Sequence, residues 1–116
     1  MKEFMLIFRF TNPDEASWRN TKMSPKQWQD WIGGIAAQNK LSATGKRLGT
    51  DGNVVKPGNV VMNGPYVEIK ETLGGYMFVN AESLREAVEM AKGCPLVQTD
   101  SGSVEVRPVV ETSGNN

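Results

Sequence analysis

Apolar and polar positions alternate most sharply near the start of the chain. Phe4, Leu6, Phe8 and Phe10 fall on one face of an extended segment, and Met5, Ile7 and Arg9 fall on the other. This period of two predicts a first strand over 4–10. Both of its faces are largely apolar, whereas a sheet covered on one side shows hydrophobic residues inward and polar ones outward. The second face is therefore expected to be shielded by something outside so short a chain. Thr11 to Met23 is polar, with Pro13 and a lone Trp18, and reads as a loop.

The period then changes. Ser24, Pro25 and Gln27 form a helix-start signature, with a side-chain acceptor at the N-cap, proline at the first helical position and a capping-box partner at the third. Trp28, Trp31, Ile32 and Ile35 follow at helical spacing and give one apolar stripe. Gly33-Gly34 interrupts it at a cost of roughly 1 kcal/mol per glycine relative to alanine. Close approach to another backbone or a local bend would account for the pair. Gly45 is the expected C-cap.

Two turn signals, Asp51-Gly52 and Pro57-Gly58, punctuate Arg47 to Met62, with short β-prone pieces at Asn53-Val54-Val55 and Asn59-Val60-Val61-Met62. They predict a hairpin-like excursion leading into a second strand, closed by a turn at Asn63-Gly64-Pro65. Gly75 to Val79 is the third strand, with Tyr76 and Phe78 on one face and Met77 and Val79 on the other. Gly74-Gly75 at its entry reads as a bulge or a close-packing device. Asn80 is placed to cap a second helix, and Leu84, Ala87, Val88 and Ala91 supply its core stripe. Gly93 and Pro95 stop it. Ser103 to Val110 is the last strand, with Val104 and Val106 facing one way and Glu105 and Arg107 the other. Pro108 marks a sheet edge or a strand end.

The order β-α-β-β-α-β predicts an α+β, ferredoxin-like antiparallel sheet with two helices on one face. Residues 1–110 are expected to form a single domain and 111–116 a flexible tail. The open face would expose Met5, Ile7 and an apolar side of the third strand, which marks an interface. Two copies packed sheet to sheet would make a dimeric α+β barrel.

Composition narrows the chemistry. With 116 residues the chain is one domain by length, and 13 basic against 13 acidic residues remove the attraction that nucleic-acid and anionic-membrane binders rely on. No apolar run approaches the ~20 residues of a membrane span. One cysteine, Cys94, precludes an intrachain disulfide, and Met1-Lys2-Glu3-Phe4 has no signal-peptide layout, so a cytoplasmic location is expected. The chain contains no histidine, which excludes Ser-His-Asp and Cys-His catalysis and the usual zinc sites. No metal or other cofactor is expected.

The remaining polar groups with chemical potential gather around the third strand. Arg9 interrupts an apolar face and must pair or reach water, with Glu105 or Glu68 as its natural partner. Glu68, with Lys70 and Glu71, is either a charged edge that blunts strand pairing or the source of a carboxylate base. Asn63 and Tyr66 belong to a turn that could line a pocket, Trp18 could close over one, and Tyr76 could join Arg9 and Glu68 in a largely apolar cavity. Arg9, Trp18, Asn63, Tyr66, Glu68 and Tyr76 are therefore the candidate ligand-binding residues.

Several motifs occur together and in order: Asn63-Gly64-Pro65-Tyr66, Glu68, Lys70-Glu71 and Leu73-Gly74-Gly75-Tyr76; Cys94-Pro95; and Gly102-Ser103-Val104-Glu105-Val106-Arg107-Pro108. In these the chain resembles the YCII-related proteins, and within them the DGPF-domain branch, from Phe4 to Val110. The resemblance implies a ferredoxin-like dimeric α+β barrel. It implies little about activity, since DGPF proteins are largely uncharacterised and are associated only with a regulatory setting beside extracytoplasmic-function sigma factors. Some YCII-like proteins carry a His–Asp pair proposed as catalytic. This chain has no histidine, and the leading Asp of the motif is Asn63, an amide that cannot act as a base. The expected function is a homodimeric domain binding a small molecule or a protein partner. The alternative is an isomerase, lyase or monooxygenase with its site in the barrel cavity near Arg9 and Glu68.

Overall fold

The computed structural model describes residues 1–10, 24–49, 51–64, 72–98 and 102–111. The alternating segment forms β1 (Lys2–Phe10), which lies inside a four-stranded sheet. Its neighbours are β5 (Thr72–Ala81) and β6 (Gly102–Pro108), and β2 (Leu41–Arg47) completes the order β2-β5-β1-β6 with every pairing antiparallel. Helices α1 (Pro25–Ala37), α2 (Leu84–Lys92) and the single turn α3 (Pro95–Gln98) connect the strands, so the protein is α+β with the strand order of a ferredoxin-like fold.

The period-two reading of β1 holds residue by residue. Phe4, Leu6, Phe8 and Phe10 are buried with Met77 and Val79 of β5, against Trp28 and Ile35 of α1 and Ala87 and Ala91 of α2. Both longer helices thus cover one face. The Trp28 and Trp31 rings meet Phe8 edge-on, at centroid distances of 5.1 and 6.1 Å, the arrangement their quadrupoles favour. Trp31 Nε1 donates to the Met90 carbonyl at 2.9 Å and ties α1 to α2.

The start of α1 is as read. The Ser24 hydroxyl accepts from the Gln27 amide, and the Gln27 side chain accepts from the Ser24 amide in return. Its end is not. The helix stops at Ala37, and Gly45 is not its cap. Asn39 takes the left-handed conformation, φ 59°, and the amides of Asn39 and Lys40 bond back to the Ala36 and Ile35 carbonyls. These two bonds make a Schellman close with asparagine in place of glycine. Gly33 and Gly34 are exposed, and among the described residues a Cβ on either would touch nothing within 4 Å, so no described backbone explains them.

The early stop releases Leu41–Arg47 to become the second sheet strand, a role expected of the hairpin further on. That hairpin, β3 (Gly52–Lys56) and β4 (Val60–Gly64), is a separate two-stranded sheet turning at Pro57-Gly58-Asn59. Asn63 and Gly64, read as a turn, still belong to β4, opposite Asn53 and Gly52.

At the entry to β5 the expected bulge is present. Phe8 pairs with Gly75 and Arg9 with Leu73, which leaves Gly74 as the extra residue. A Cβ on Gly74 would lie 2.4 Å from the Phe10 ring, and one on Gly75 would lie 2.6 Å from the Lys46 carbonyl oxygen. β5 extends to Ala81, so the N-cap of α2 is Ser83, not Asn80; the Ser83 hydroxyl accepts from the Glu86 amide. Only half of the α2 stripe is core. Ala87 and Ala91 are buried, while Leu84 and Val88 remain 49% and 37% exposed beside Val104 and Val106.

Cys94 sits between α2 and α3 with no exposed surface, and burial pushes its thiol up to about 12. At pH 8 only about 10⁻⁴ of such a thiol is thiolate, the reactive form. Iodoacetamide is therefore expected to leave the native protein unmodified over minutes and to label it quickly in denaturing urea, as read by mass spectrometry. Fast native labelling would show that this corner opens independently of the sheet.

Candidate functional site

The sheet face turned away from the helices is where the sequence places a site. Met5 and Ile7 of β1 lie opposite Phe78 and Tyr76 of β5 and form a half-buried apolar block four side chains wide. Tyr76 and Phe78 pack edge to face at 5.9 Å. Charged and polar groups rim the block. Across β6, Glu105 lies opposite Ile7 and Arg107 opposite Met5. Across β2, Lys46 lies opposite Tyr76 and Ala43 opposite Phe78. At the start of β1, the Ser42 hydroxyl donates to Glu3 at 2.5 Å.

Arg9 finds one of its two expected partners. Its Nη2 and Nε donate to Glu105 Oε1 at 3.0 and 3.3 Å, and Arg107 donates to Glu105 Oε2 at 3.2 Å. Two guanidinium groups on one carboxylate hold Glu105 below its ordinary range, with Arg9 the larger cause. Both Arg9 and Glu105 are about one-third exposed, so the pair aligns the strands more than it stabilises them. The cluster carries one positive charge in excess of its carboxylate.

Of the six candidates, the structure brings Arg9 and Tyr76 onto this face, on adjacent strands. Asn63 lies in the β3–β4 hairpin, which among the described residues forms a two-stranded sheet of its own. Trp18, Tyr66 and Glu68 lie outside the described residues. Among the described residues, no three His, Cys, Asp or Glu side chains are grouped to hold a metal ion, and no helix is long and apolar enough to cross a membrane.

No residue pattern signals a second concavity, which lies on the helix side beside β2. It has a volume of about 190 Å³ between α1, β2 and β5. Phe8, Trp28, Ile32 and Met77 line it, and Thr44, Lys46 and Arg47 contribute from β2. The wall exists because β2 is irregular: its register against β5 slips between Ala43 and Lys46, where Gly45 takes φ 69°.

The YCII-related domain family matches residues 5–113, nearly the full length of the chain. The chain belongs to the YCII-related family. A relative of this YCII-related domain, an uncharacterised protein of Rhizobium meliloti (strain 1021), is 40% identical over 50 residues, which cover 43% of this chain and 40% of the relative. The chain thus matches less than half of that relative's length, and neither similarity assigns an activity to the YCII-related domain.

Proposed function

We propose that this YCII-related domain, of the DGPF branch, is a cytoplasmic homodimer that pairs through the open sheet face and binds a small molecule or a protein partner in a regulatory role. The observation that carries the pairing is the block of Met5, Ile7, Tyr76 and Phe78, apolar at its centre and rimmed by Glu105, Arg107 and Lys46. Apolar centres with polar rims are the anatomy of protein interfaces. A two-fold contact also suits a face whose charges are mixed, because each copy offers both signs to the other. A binding role is favoured over catalysis because Glu105, the carboxylate opposite Ile7 on this face, is held ionised by two arginines, and a base working near neutrality needs the opposite shift. Zero net charge supports a partner other than nucleic acid.

Analytical ultracentrifugation tests the pairing. The protein is expected to sediment as a dimer at micromolar concentration. Phe78→Glu, which places a carboxylate at the centre of the block with Met5 and Ala43 as cross-strand neighbours, should weaken association at least a hundredfold while circular dichroism stays unchanged. A wild-type protein that remains monomeric at 100-fold higher loading would remove the proposal.

A further inference from the structure

We infer that the outer edge of β6, with the groove between it and α2, takes an extended segment of a partner protein as an added antiparallel strand with aliphatic side chains at alternate positions. Among the described residues β6 has one strand neighbour, β1. The parity of that pairing is set just past the strand, where the Val109 amide donates to the Glu3 carbonyl at 3.0 Å. Bonding alternates along an antiparallel ladder, and the register runs unbroken from Phe4–Pro108 to Phe10–Gly102. Ser103, Glu105 and Arg107 therefore turn their amides and carbonyls toward β1, and Gly102, Val104, Val106 and Pro108 turn theirs outward. Pro108 fits this parity, because the N–H it lacks would have pointed away from β1. Among the described residues no hydrogen bond reaches the outward row.

Proteins normally blunt such an edge with bulges, charges or proline. The opposite edge of the sheet is blunted: the register of β2 against β5 shifts twice, and Gly45 stands there at φ 69°. β6 runs seven residues without a shift, and Pro108 is at its end. Its charges, Glu105 and Arg107, are paired with each other on the open face. A regular row of free donors and acceptors is complementary to another extended backbone.

The side chains beside the row say what that backbone carries. Val104 and Val106 point to the helix side and pack against the core. Next to them Leu84 and Val88 of α2 and Val97 of α3 are left 49%, 37% and 38% exposed. Together they wall a groove of about 400 Å³. In an antiparallel addition, the residues opposite Val104 and Val106 share their side of the sheet. Aliphatic side chains at those two positions enter the groove and cover the half of the α2 stripe that the chain's own core leaves out. A second copy is the poorer occupant. Full overlap of two β6 strands about a two-fold axis sets the two copies of Glu105 directly opposite each other, which is destabilising. It also brings two concave grooves together, and neither fills the other. The contact uses the backbone edge and helix side of β6, not the open face. It rests only on the protein-partner part of the proposed function, so its failure leaves the dimer and a small-molecule role standing.

The test is a titration of the ¹⁵N-labelled protein with the capped peptide Lys-Thr-Val-Thr-Val-Thr-Lys, followed by amide shifts and hydrogen exchange. Saturable shifts are expected at Val104, Val106, Leu84 and Val88. On binding, the Val104 and Val106 amides should exchange about tenfold or more slowly, while those of Glu105 and Arg107, already bonded to β1, stay as they were. The same peptide N-methylated at both valines should bind about tenfold or more weakly, because it loses the two ladder bonds it donates. Val88→Lys, at an exposed position, should weaken the unmodified peptide about tenfold by placing a charge in the groove, with the thermal midpoint unchanged. Equal binding of the N-methylated peptide, shifts centred elsewhere, or no saturation at millimolar peptide would each overturn the inference. Protection of Val104 and Val106 that rises with protein concentration alone would assign the edge to a second copy and overturn it as well.

Discussion

Gly45→Ala is expected to cost roughly 3 kcal/mol or more, moving the urea midpoint down by about 1–2 M. Two penalties fall on the same atom. The backbone there has φ 69°, a conformation that side chains with a Cβ rarely adopt. The added Cβ would also meet backbone, at 2.7 Å from the Met77 Cα and closer still to the Tyr76 carbonyl oxygen. Neither neighbour can turn aside as a side-chain tip would, because both belong to the sheet. β2 must separate from β5, and the cavity wall separates with it. Gly33→Ala serves as the control. Gly33 lies exposed in α1 with open space around it, so the same chemical change should raise stability by about 0.5–1 kcal/mol. Equal effects at the two positions would show that β2 is not held as described.

Phe10→Ala is the second large effect, about 3–5 kcal/mol. The ring is 1% exposed, and it sits where the bulge at Gly74 leaves room for it. The two residues are therefore coupled. Gly74→Ala drives a methyl to 2.4 Å from the ring and should destabilise on its own. In a Phe10→Leu background the obstructing edge is gone, and most of that second penalty should vanish. Urea melts of the two single variants and the double variant give the coupling directly, with about 1 kcal/mol or more of non-additivity expected. Additive losses would separate the glycine from the ring.

These two positions also show what could be read from the residues and what could not. The Phe10 face of β1 was legible because alternation of large apolar side chains has one structural meaning. The start of α1 was legible because a capping box is local chemistry. Gly45 was misassigned because two residues competed to end the helix, and Asn39, the less common left-handed closer, won. Leu41–Arg47 carries little apolar alternation to mark a strand. It lies at the sheet edge with most side chains exposed, so its pairing with β5 decides its structure, and no local pattern records that. The cavity was invisible for the same reason, since half of its wall is that strand. The Arg9–Glu105 pair could be anticipated, because a charge on an apolar face needs a partner and Glu105 was one of two on offer. Ser83 displaced Asn80 as the cap of α2 because β5 ran one residue beyond Asn80.

The order in which the strands sit has a cost during synthesis. β1 is made before both of its neighbours, and Phe4 must await Val79 on one side and Pro108 on the other. No adjacent pair in the main sheet is contiguous in the chain; the hairpin β3–β4, which closes locally, stands outside it. Most of the contact order is therefore long-range, and folding is expected to be slow for a chain of this size. Until α1, β5 and α2 have emerged from the ribosome, the four aromatic and aliphatic side chains of β1 lack the core they dock against, which makes the nascent chain a natural client for a holding chaperone.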